Sequence, residues 1–110
     1  MNIPGIVTVG VVTMSLAASA AHAQSLQRGE LLVRRHCGGC HAVGKTGAST
    51  EPAAPPFREL YRRYEPDTLA EALAEGVLTG HPQMPEFRFK AGDVKAITAY
   101  LSSIQARQPI

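Results

Sequence analysis

The sequence predicts an all-α protein with a single small domain. Apolar residues recur at intervals of three or four positions, and no segment alternates apolar and polar residues as a half-buried strand would. Gly and Pro separate the periodic segments, as expected of short helices joined by turns. The 110 residues of the chain are enough for one hydrophobic core.

The first two helices are expected to be short. The first extends from about Leu26 to His36, and the second covers Phe57–Tyr64, where apolar side chains follow at helical spacing. Residues 44–56 are rich in Gly, Pro, Ser, Thr and Ala, so a loop is predicted between the two helices.

End signals mark the third and fourth helices. Asp67 or Thr68 can accept hydrogen bonds from the first-turn N–H groups of the third helix, and Gly76 and Gly80 weaken and end it. Asp93 is predicted to cap the fourth helix. The apolar stripe of that helix consists of Val94, Ile97, Leu101 and Ile104, with Tyr100 beside it.

The N-terminal segment differs in composition from the rest, because residues 1–27 contain no charged side chain. Ile6–Ala18 form an apolar stretch, and Ala21-His22-Ala23 has the small-residue form that signal peptidase cleaves. We predict that residues 1–23 are a cleaved signal peptide and that residues 24–110 form an exported, periplasmic domain. The alternative is an uncleaved membrane anchor over Ile3–Ala23, a stretch just long enough to span a bilayer.

Composition excludes several classes of function. A formal net charge of +2 without a run of Lys and Arg argues against a nucleic-acid partner. Two Cys residues are too few for a disulfide-stapled miniprotein. With no Trp, three Phe and three Tyr, the helices bury a thin core, so a bulky apolar cofactor is expected to complete it.

One motif carries specific chemistry. Cys37-Gly38-Gly39-Cys40-His41 has the C-x-x-C-H form of a c-type haem attachment site. Two thiols at this spacing can reach the two vinyl groups of one porphyrin and form thioethers, and His41 can then ligate the iron. Gly38 and Gly39 have no side chains to obstruct the edge of the ring.

Two other chemistries use cysteines in this pattern. A thioredoxin-like disulfide between Cys37 and Cys40 would follow a strand, and the sequence shows no strand. A zinc site needs four ligands. His41 together with His36 or His81 could add two ligands to the two cysteines. These histidines, however, lack the spacing of a zinc finger.

Met84 is the predicted sixth ligand of the iron. Met1 and Met14 lie in the export segment, so Met84 is the single methionine of the domain, and the prolines beside it hold the chain extended. His/Met ligation is typical of electron-carrying c cytochromes. His81 is the alternative ligand, whereas His36 is expected on the surface because it adjoins Cys37.

These features together resemble those of a small bacterial monohaem class I c-type cytochrome. The resemblance covers about Leu26 to Ile104. It rests on a helix with a glycine before the motif, the motif itself, a proline-rich loop, the methionine loop and a final helix: Gly29, Cys37–His41, Ala54-Pro55-Pro56-Phe57, Met84 and Ala99-Tyr100-Leu101.

The resemblance implies a cytochrome c fold, with four to five short helices wrapped around one covalently bound haem. The first and last helices would cross at Gly29 and Tyr100. The carbonyl of Pro55 would accept a hydrogen bond from the Nδ1–H of His41. The chain lacks the Trp that binds a haem propionate in many family members, and the available donors are Arg58, Tyr61, Arg62, Arg63 and Arg88, of which we favour Tyr61 and Arg63.

The expected function is one-electron transfer, and an enzyme is not expected. Transient redox protein partners would act as donor and acceptor, and the membrane would be involved only if the N-terminal segment is uncleaved. Two alternatives are a haem peroxidase or gas sensor, which needs an open iron site, and a dithiol oxidoreductase. Five basic residues could surround the exposed haem edge or simply be solvated, namely Arg34, Arg35, Lys45, Arg88 and Lys90.

Overall fold

The computed structural model describes residues 8–76 and 83–107, with side chains from residue 15 onward. This part of the chain contains helices and no strand, so the all-α prediction is confirmed. Three α-helices, α1 (Thr8–Cys37), α2 (Ala70–Glu75) and α3 (Ala91–Ser103), are accompanied by two 3₁₀ helices, Phe57–Arg62 and Pro66–Leu69.

The first helix is longer than predicted. It begins at Thr8 instead of Leu26 and continues through the predicted cleavage site to Cys37. Residues 11–28 contain neither Gly nor Pro and are rich in Ala, the residue with the highest helix propensity, so nothing in this stretch ends the helix. Within the described residues, no helix is both long and apolar enough to span a membrane.

The second and third predicted helices are shorter and tighter than expected. Phe57–Arg62 is a 3₁₀ helix, and the third helix begins as the 3₁₀ turn Pro66–Leu69 before α2. Gly76 ends α2 with a φ of +74°, a left-handed conformation that glycine adopts without steric cost. Gly80 lies outside the described residues.

The predictions of N-terminal caps are wrong. The third helix is preceded by Glu65, and neither Asp67 nor Thr68 caps it, since the hydroxyl of Thr68 donates to the Glu65 carbonyl instead at 2.7 Å. Asp93 lies inside the first turn of α3, where its carboxylate is 3.2 Å from Arg28 Nε of α1. Asp93 therefore connects two helices rather than starting one.

The crossing of α1 and α3 positions the whole site. A Cβ atom on Gly29 would lie 2.0 Å from the Ala96 carbonyl oxygen and 2.8 Å from Tyr100 Cβ, so only glycine permits this approach. The hydroxyl of Tyr100 donates to the Val43 carbonyl at 2.6 Å and joins α3 to the loop after α1. The crossing implied by the resemblance is present.

The core lies between these helices and the first 3₁₀ helix. Its buried members are Leu32, Val33, Phe57, Leu60, Ile97, Tyr100, Leu101 and Ile104. Gln105, just after α3, joins the layers, since its side-chain amide donates to the carbonyls of Leu101 and Phe57, both at 2.7 Å. The side-chain oxygen of Gln105 accepts a hydrogen bond from the Tyr61 N–H at 2.9 Å. The first 3₁₀ helix is thereby held against the end of α3.

Candidate functional site

The C-terminal end of α1 presents the C-x-x-C-H motif to a cavity. After Cys37 the chain turns tightly, with the N–H groups of Cys40 and His41 donating to the Cys37 carbonyl at 3.2 and 3.0 Å. Both cysteines are free thiols, and both line a cavity of about 400 Å³ together with His41. The cysteines and the imidazole therefore face one shared space.

The two positions between the cysteines are glycine for different structural reasons. A Cβ atom on Gly39 would meet nothing within 4 Å, and Gly39 lines the cavity, so its missing side chain leaves the space open. A Cβ atom on Gly38 would lie 2.5 Å from the Arg34 carbonyl oxygen. Gly38 is thus needed by the backbone of α1, and it does not line the cavity.

His41 is held by two contacts. Its Nδ1 lies 2.8 Å from the Pro55 carbonyl oxygen, and its ring stacks on Phe57 with centroids 4.3 Å apart and planes 29° apart. Because a carbonyl can only accept, Nδ1 carries a proton and donates a hydrogen bond to Pro55, so Nε2 is the ring nitrogen left to ligate a metal.

The loop behind His41 is tied closely to the motif. We call residues 37–57 the His41 wall. Within it, the Ala42 N–H donates to the Ser49 hydroxyl at 2.9 Å, and the Thr50 hydroxyl donates to the Gly39 carbonyl at 2.6 Å. The Glu51 N–H donates to the Cys40 carbonyl at 3.1 Å. The loop predicted from composition is therefore an ordered support for His41.

The same cavity is also lined by residues from far along the chain. We call residues 83–90 the Met84 segment, and Gln83, Met84, Pro85 and Phe87 of this segment line the cavity. Met84 is partly buried. The segment is joined to α2 by the Phe89 N–H, which donates to the Leu73 carbonyl at 2.9 Å. The fold thus brings a thioether to the space that holds the thiols and His41.

The cavity wall is mainly apolar, and burial affects its chemistry. Burial raises the pKa of the Cys37 thiol to about 11, so this cysteine remains protonated near neutral pH. Cys37 is also the last residue of α1, where the negative end of the helix dipole disfavours a thiolate. Reactive dithiol cysteines have lowered pKa values, so these surroundings argue against redox catalysis by a dithiol.

A zinc centre lacks support in the described part of the chain. Among residues 8–76 and 83–107, no three His, Cys, Asp or Glu side chains converge to hold a metal ion. His81, named as a zinc ligand and as the alternative to Met84, lies outside the described residues. The prediction that His81 competes with Met84 for the iron therefore stays a prediction.

The proposed propionate donors lie elsewhere. Neither Tyr61 nor Arg63 lines the cavity, the Tyr61 hydroxyl accepts a hydrogen bond from Arg62 Nε at 3.3 Å, and Arg63 is exposed. Arg58 does not line the cavity either, but its Nη1 is buried and has no hydrogen-bond partner among the described residues. An unpaired buried charge-bearing group is costly, and a carboxylate partner would offset that cost.

His36 is exposed, as predicted, but it also lines the cavity and contacts the aromatic rings of the Met84 segment. These contacts could not be predicted because they join positions about fifty residues apart, for which spacing along the chain carries no signal.

The donor set of the cavity fits a c-type haem. Paired thiols, an imidazole held through its Nδ1, a thioether and apolar walls match what such a group requires. The model of the family described as cytochrome C oxidase, cbb3-type, subunit III matches residues 24–101. No curated protein and no solved structure matches the chain. Because the matched part is more than half of the chain, the protein belongs to this family: it is a small c-type cytochrome that transfers electrons by means of haem and is not an enzyme.

Proposed function

We propose that the protein is a periplasmic one-electron carrier. One haem c is bonded to Cys37 and Cys40, and His41 and Met84 are its two axial ligands. The observation that supports this proposal is that one cavity of about 400 Å³ is lined by all four side chains. When bound, haem supplies an iron that alternates between the ferrous and ferric states.

The His41 wall orients the imidazole. The Pro55 carbonyl accepts a hydrogen bond from the Nδ1–H group and thereby fixes the tautomer, and Phe57 limits rotation of the ring. A hydrogen bond of this kind also makes the opposite ring nitrogen a more basic ligand. His41 is therefore held in one orientation, which keeps reorganisation small when the charge of the site changes.

Met84 sets the redox character and closes the site. A thioether ligand favours the ferrous state, and apolar surroundings disfavour the additional charge of the ferric state, so a raised potential is expected. If His41 and Met84 both hold the iron, no position would be left on it for oxygen or peroxide. This arrangement disfavours a peroxidase or a gas sensor.

Export is proposed on the sequence of the first 23 residues. The family match begins at residue 24, directly after the predicted cleavage site, which supports residues 24–110 as the cytochrome domain. Sequencing the N-terminus of the purified protein distinguishes the two alternatives. A start at Gln24 is expected, whereas a start at Met1 or Asn2 would indicate an uncleaved anchor.

The partners are proposed to be redox proteins that dock briefly. Complexes of this kind bury small interfaces, which allows rapid dissociation between transfers. A nucleic-acid partner is not expected, because the net charge is only +2.

Covalent attachment is tested by mass. Intact-protein mass spectrometry of the mature chain should show the added mass of one haem, and Cys37→Ala combined with Cys40→Ala should abolish it. A mature chain without this mass would refute the haem proposal and leave the dithiol alternative, which predicts a disulfide between the two cysteines.

Met84 ligation is tested by spectroscopy of both redox states. The oxidised protein should show the charge-transfer band of sulfur bound to ferric iron. Met84→Ala should remove this band, lower the potential and allow carbon monoxide to bind the ferrous protein. Gln83→Ala changes the adjacent residue, which lines the same cavity, and is the matched control. It should leave the band, the potential and the carbon monoxide binding unchanged. An unaltered spectrum in Met84→Ala would show that another group, such as His81, is the ligand.

For the propionates, Tyr61 and Arg63 remain the donors favoured from the sequence, and Arg58 is a further candidate because of its buried, unpaired Nη1. Comparing Arg58→Gln with Arg63→Gln by potentiometry distinguishes them. The variant that removes a propionate partner should change the pH dependence of the potential, and the other should match the parent protein.

A further inference from the structure

The ring of His36 bridges two parts of the molecule that are distant in sequence. His36 precedes Cys37 in the last turn of α1, and its imidazole meets Phe87 and Phe89 edge-on. The ring centroids are 5.9 Å and 5.2 Å apart, with interplanar angles of 69° and 75°. Phe87 and Phe89 stack on each other at 5.7 Å. Edge-to-face contacts at such distances are favourable.

The hydrogen bonds between the Met84 segment and the helices lie at its C-terminal end. The Phe89 N–H donates to the Leu73 carbonyl, and the Lys90 carbonyl accepts from the Val94 N–H of α3, both at 2.9 Å. The side chains of Glu86 and Arg88 lie beside Gly76 at the end of α2. Within the described residues, positions 83–88 make no hydrogen bond to any helix. Phe89 also packs against the hydrophobic core. The end of the segment near Met84 therefore depends on side-chain contacts, and Phe87 is three residues from Met84.

We propose that His36 is a positioning residue for the methionine ligand. By packing against Phe87 and Phe89, it joins the Cys37 end of α1 to the Met84 segment and keeps the thioether of Met84 at the cavity. His36 itself ligates nothing in this arrangement. The proposal rests on the proposed His41/Met84 ligation and adds a residue that this ligation does not by itself require.

The test compares four proteins in the haem-loaded state: the parent, His36→Ala, His36→Phe and Arg35→Ala. His36→Ala removes the edge-on contacts, and His36→Phe keeps an aromatic ring. Arg35→Ala is the matched control, because Arg35 is the exposed neighbour of His36 on the same helix turn. The readouts are the rate at which added imidazole replaces Met84 on the ferric protein, and the guanidinium midpoint of helix loss.

His36→Ala should bind imidazole about tenfold faster than the parent, which is the size expected from losing two aromatic contacts. His36→Phe and Arg35→Ala should bind it at the parent rate. The unfolding midpoint should be alike in all four proteins, because His36 itself is exposed and is not part of the hydrophobic core. This separation distinguishes positioning of Met84 from general stabilisation.

Three results would overturn the proposal. One is an unchanged imidazole rate in His36→Ala. Another is an imidazole rate in His36→Phe about tenfold above that of the parent, and because this rate is compared with the parent it still decides the matter if the alanine variant fails to fold. The third is a parallel loss of unfolding midpoint and ligand retention. If the parent protein itself lacks the sulfur-to-iron band, the ligation proposal has failed, which is a result distinct from the other three.

Discussion

The His41 wall and the Met84 segment line the same cavity, but they are held in place in different ways. In the wall, the hydrogen bond from His41 to Pro55 is 2.8 Å long, the imidazole stacks on buried Phe57, and the loop bonds back to the motif. The backbone hydrogen bonds of the segment to helices lie at Phe89 and Lys90, and its other end has side-chain contacts such as those to His36. His41 is therefore held firmly by the wall, whereas the position of Met84 depends on side-chain contacts.

This difference teaches how a small chain can build a ligand site. The wall lies close in sequence to the motif, so short-range turns and bonds can order it at low cost in loop entropy. Met84 lies 43 residues after His41, so its position depends on tertiary packing. We expect changes in the wall to alter the free energy of unfolding, and changes in the segment to alter access to the iron.

The largest effect is expected for Phe57→Ala. Phe57 is buried in the core and stacks on His41, so the substitution leaves a cavity and should lower the free energy of unfolding by about 3–5 kcal/mol. Phe87→Ala is the counterpart in the Met84 segment and should mainly speed imidazole binding. Denaturant titration and stopped-flow absorbance measure the two effects. Equal losses of stability in both variants would contradict the distinction between wall and segment.

The next effect is expected at the helix crossing that supports the wall. Gly29→Ala places a Cβ atom against the Ala96 carbonyl, which is backbone and cannot turn aside, so a loss of about 1–3 kcal/mol is expected. Gly92→Ala is the matched control in α3, where a Cβ atom meets nothing within 4 Å. Thermal or denaturant unfolding should show the control to be no less stable than the parent.

A smaller effect is expected for Tyr100→Phe, which removes the hydrogen bond to the Val43 carbonyl and should cost about 1 kcal/mol at neutral pH. Burial raises the pKa of Tyr100 in the folded protein. The stability from this group is therefore complete below the pKa of an unfolded tyrosine, about 10, and is lost as the pH rises above it. The free energy of unfolding can be measured from about pH 8 to about pH 11, on both sides of that pKa. It should decline more steeply with rising pH in the parent than in Tyr100→Phe.

The smallest effect is expected for Glu65→Gln. Glu65 and Arg107 form an exposed ion pair, with one contact of 2.7 Å, and Arg107 lowers the pKa of the Glu65 carboxyl. Any stability from the pair is present above the ordinary carboxyl pKa and is lost as the pH falls. Because both side chains are exposed, the midpoint of unfolding at neutral pH should match the parent. A clear drop would show that this surface contributes to holding the wall.

The sequence by itself determined the chemistry of the site. The motif Cys37–His41 identifies the haem-binding chemistry, because the required atoms are few and their spacing is short. The sequence also offers Met84 as the thioether that we propose as the second ligand. Helical periodicity was enough to predict an all-α protein and the final helix. These features depend on local chain geometry, which is the part of folding that a sequence shows most directly.

The tertiary structure decided which side chains meet. The role of Asp93 as a partner of Arg28, the need for Gly38 beside the Arg34 carbonyl and the contact of His36 with Phe87 all join groups whose approach is set by packing. The true start of α1 was missed for a related reason: a composition typical of an export segment is also a good helix former. Spacing along the chain shows which groups are available, and only the packing of helices determines which of them face the same cavity.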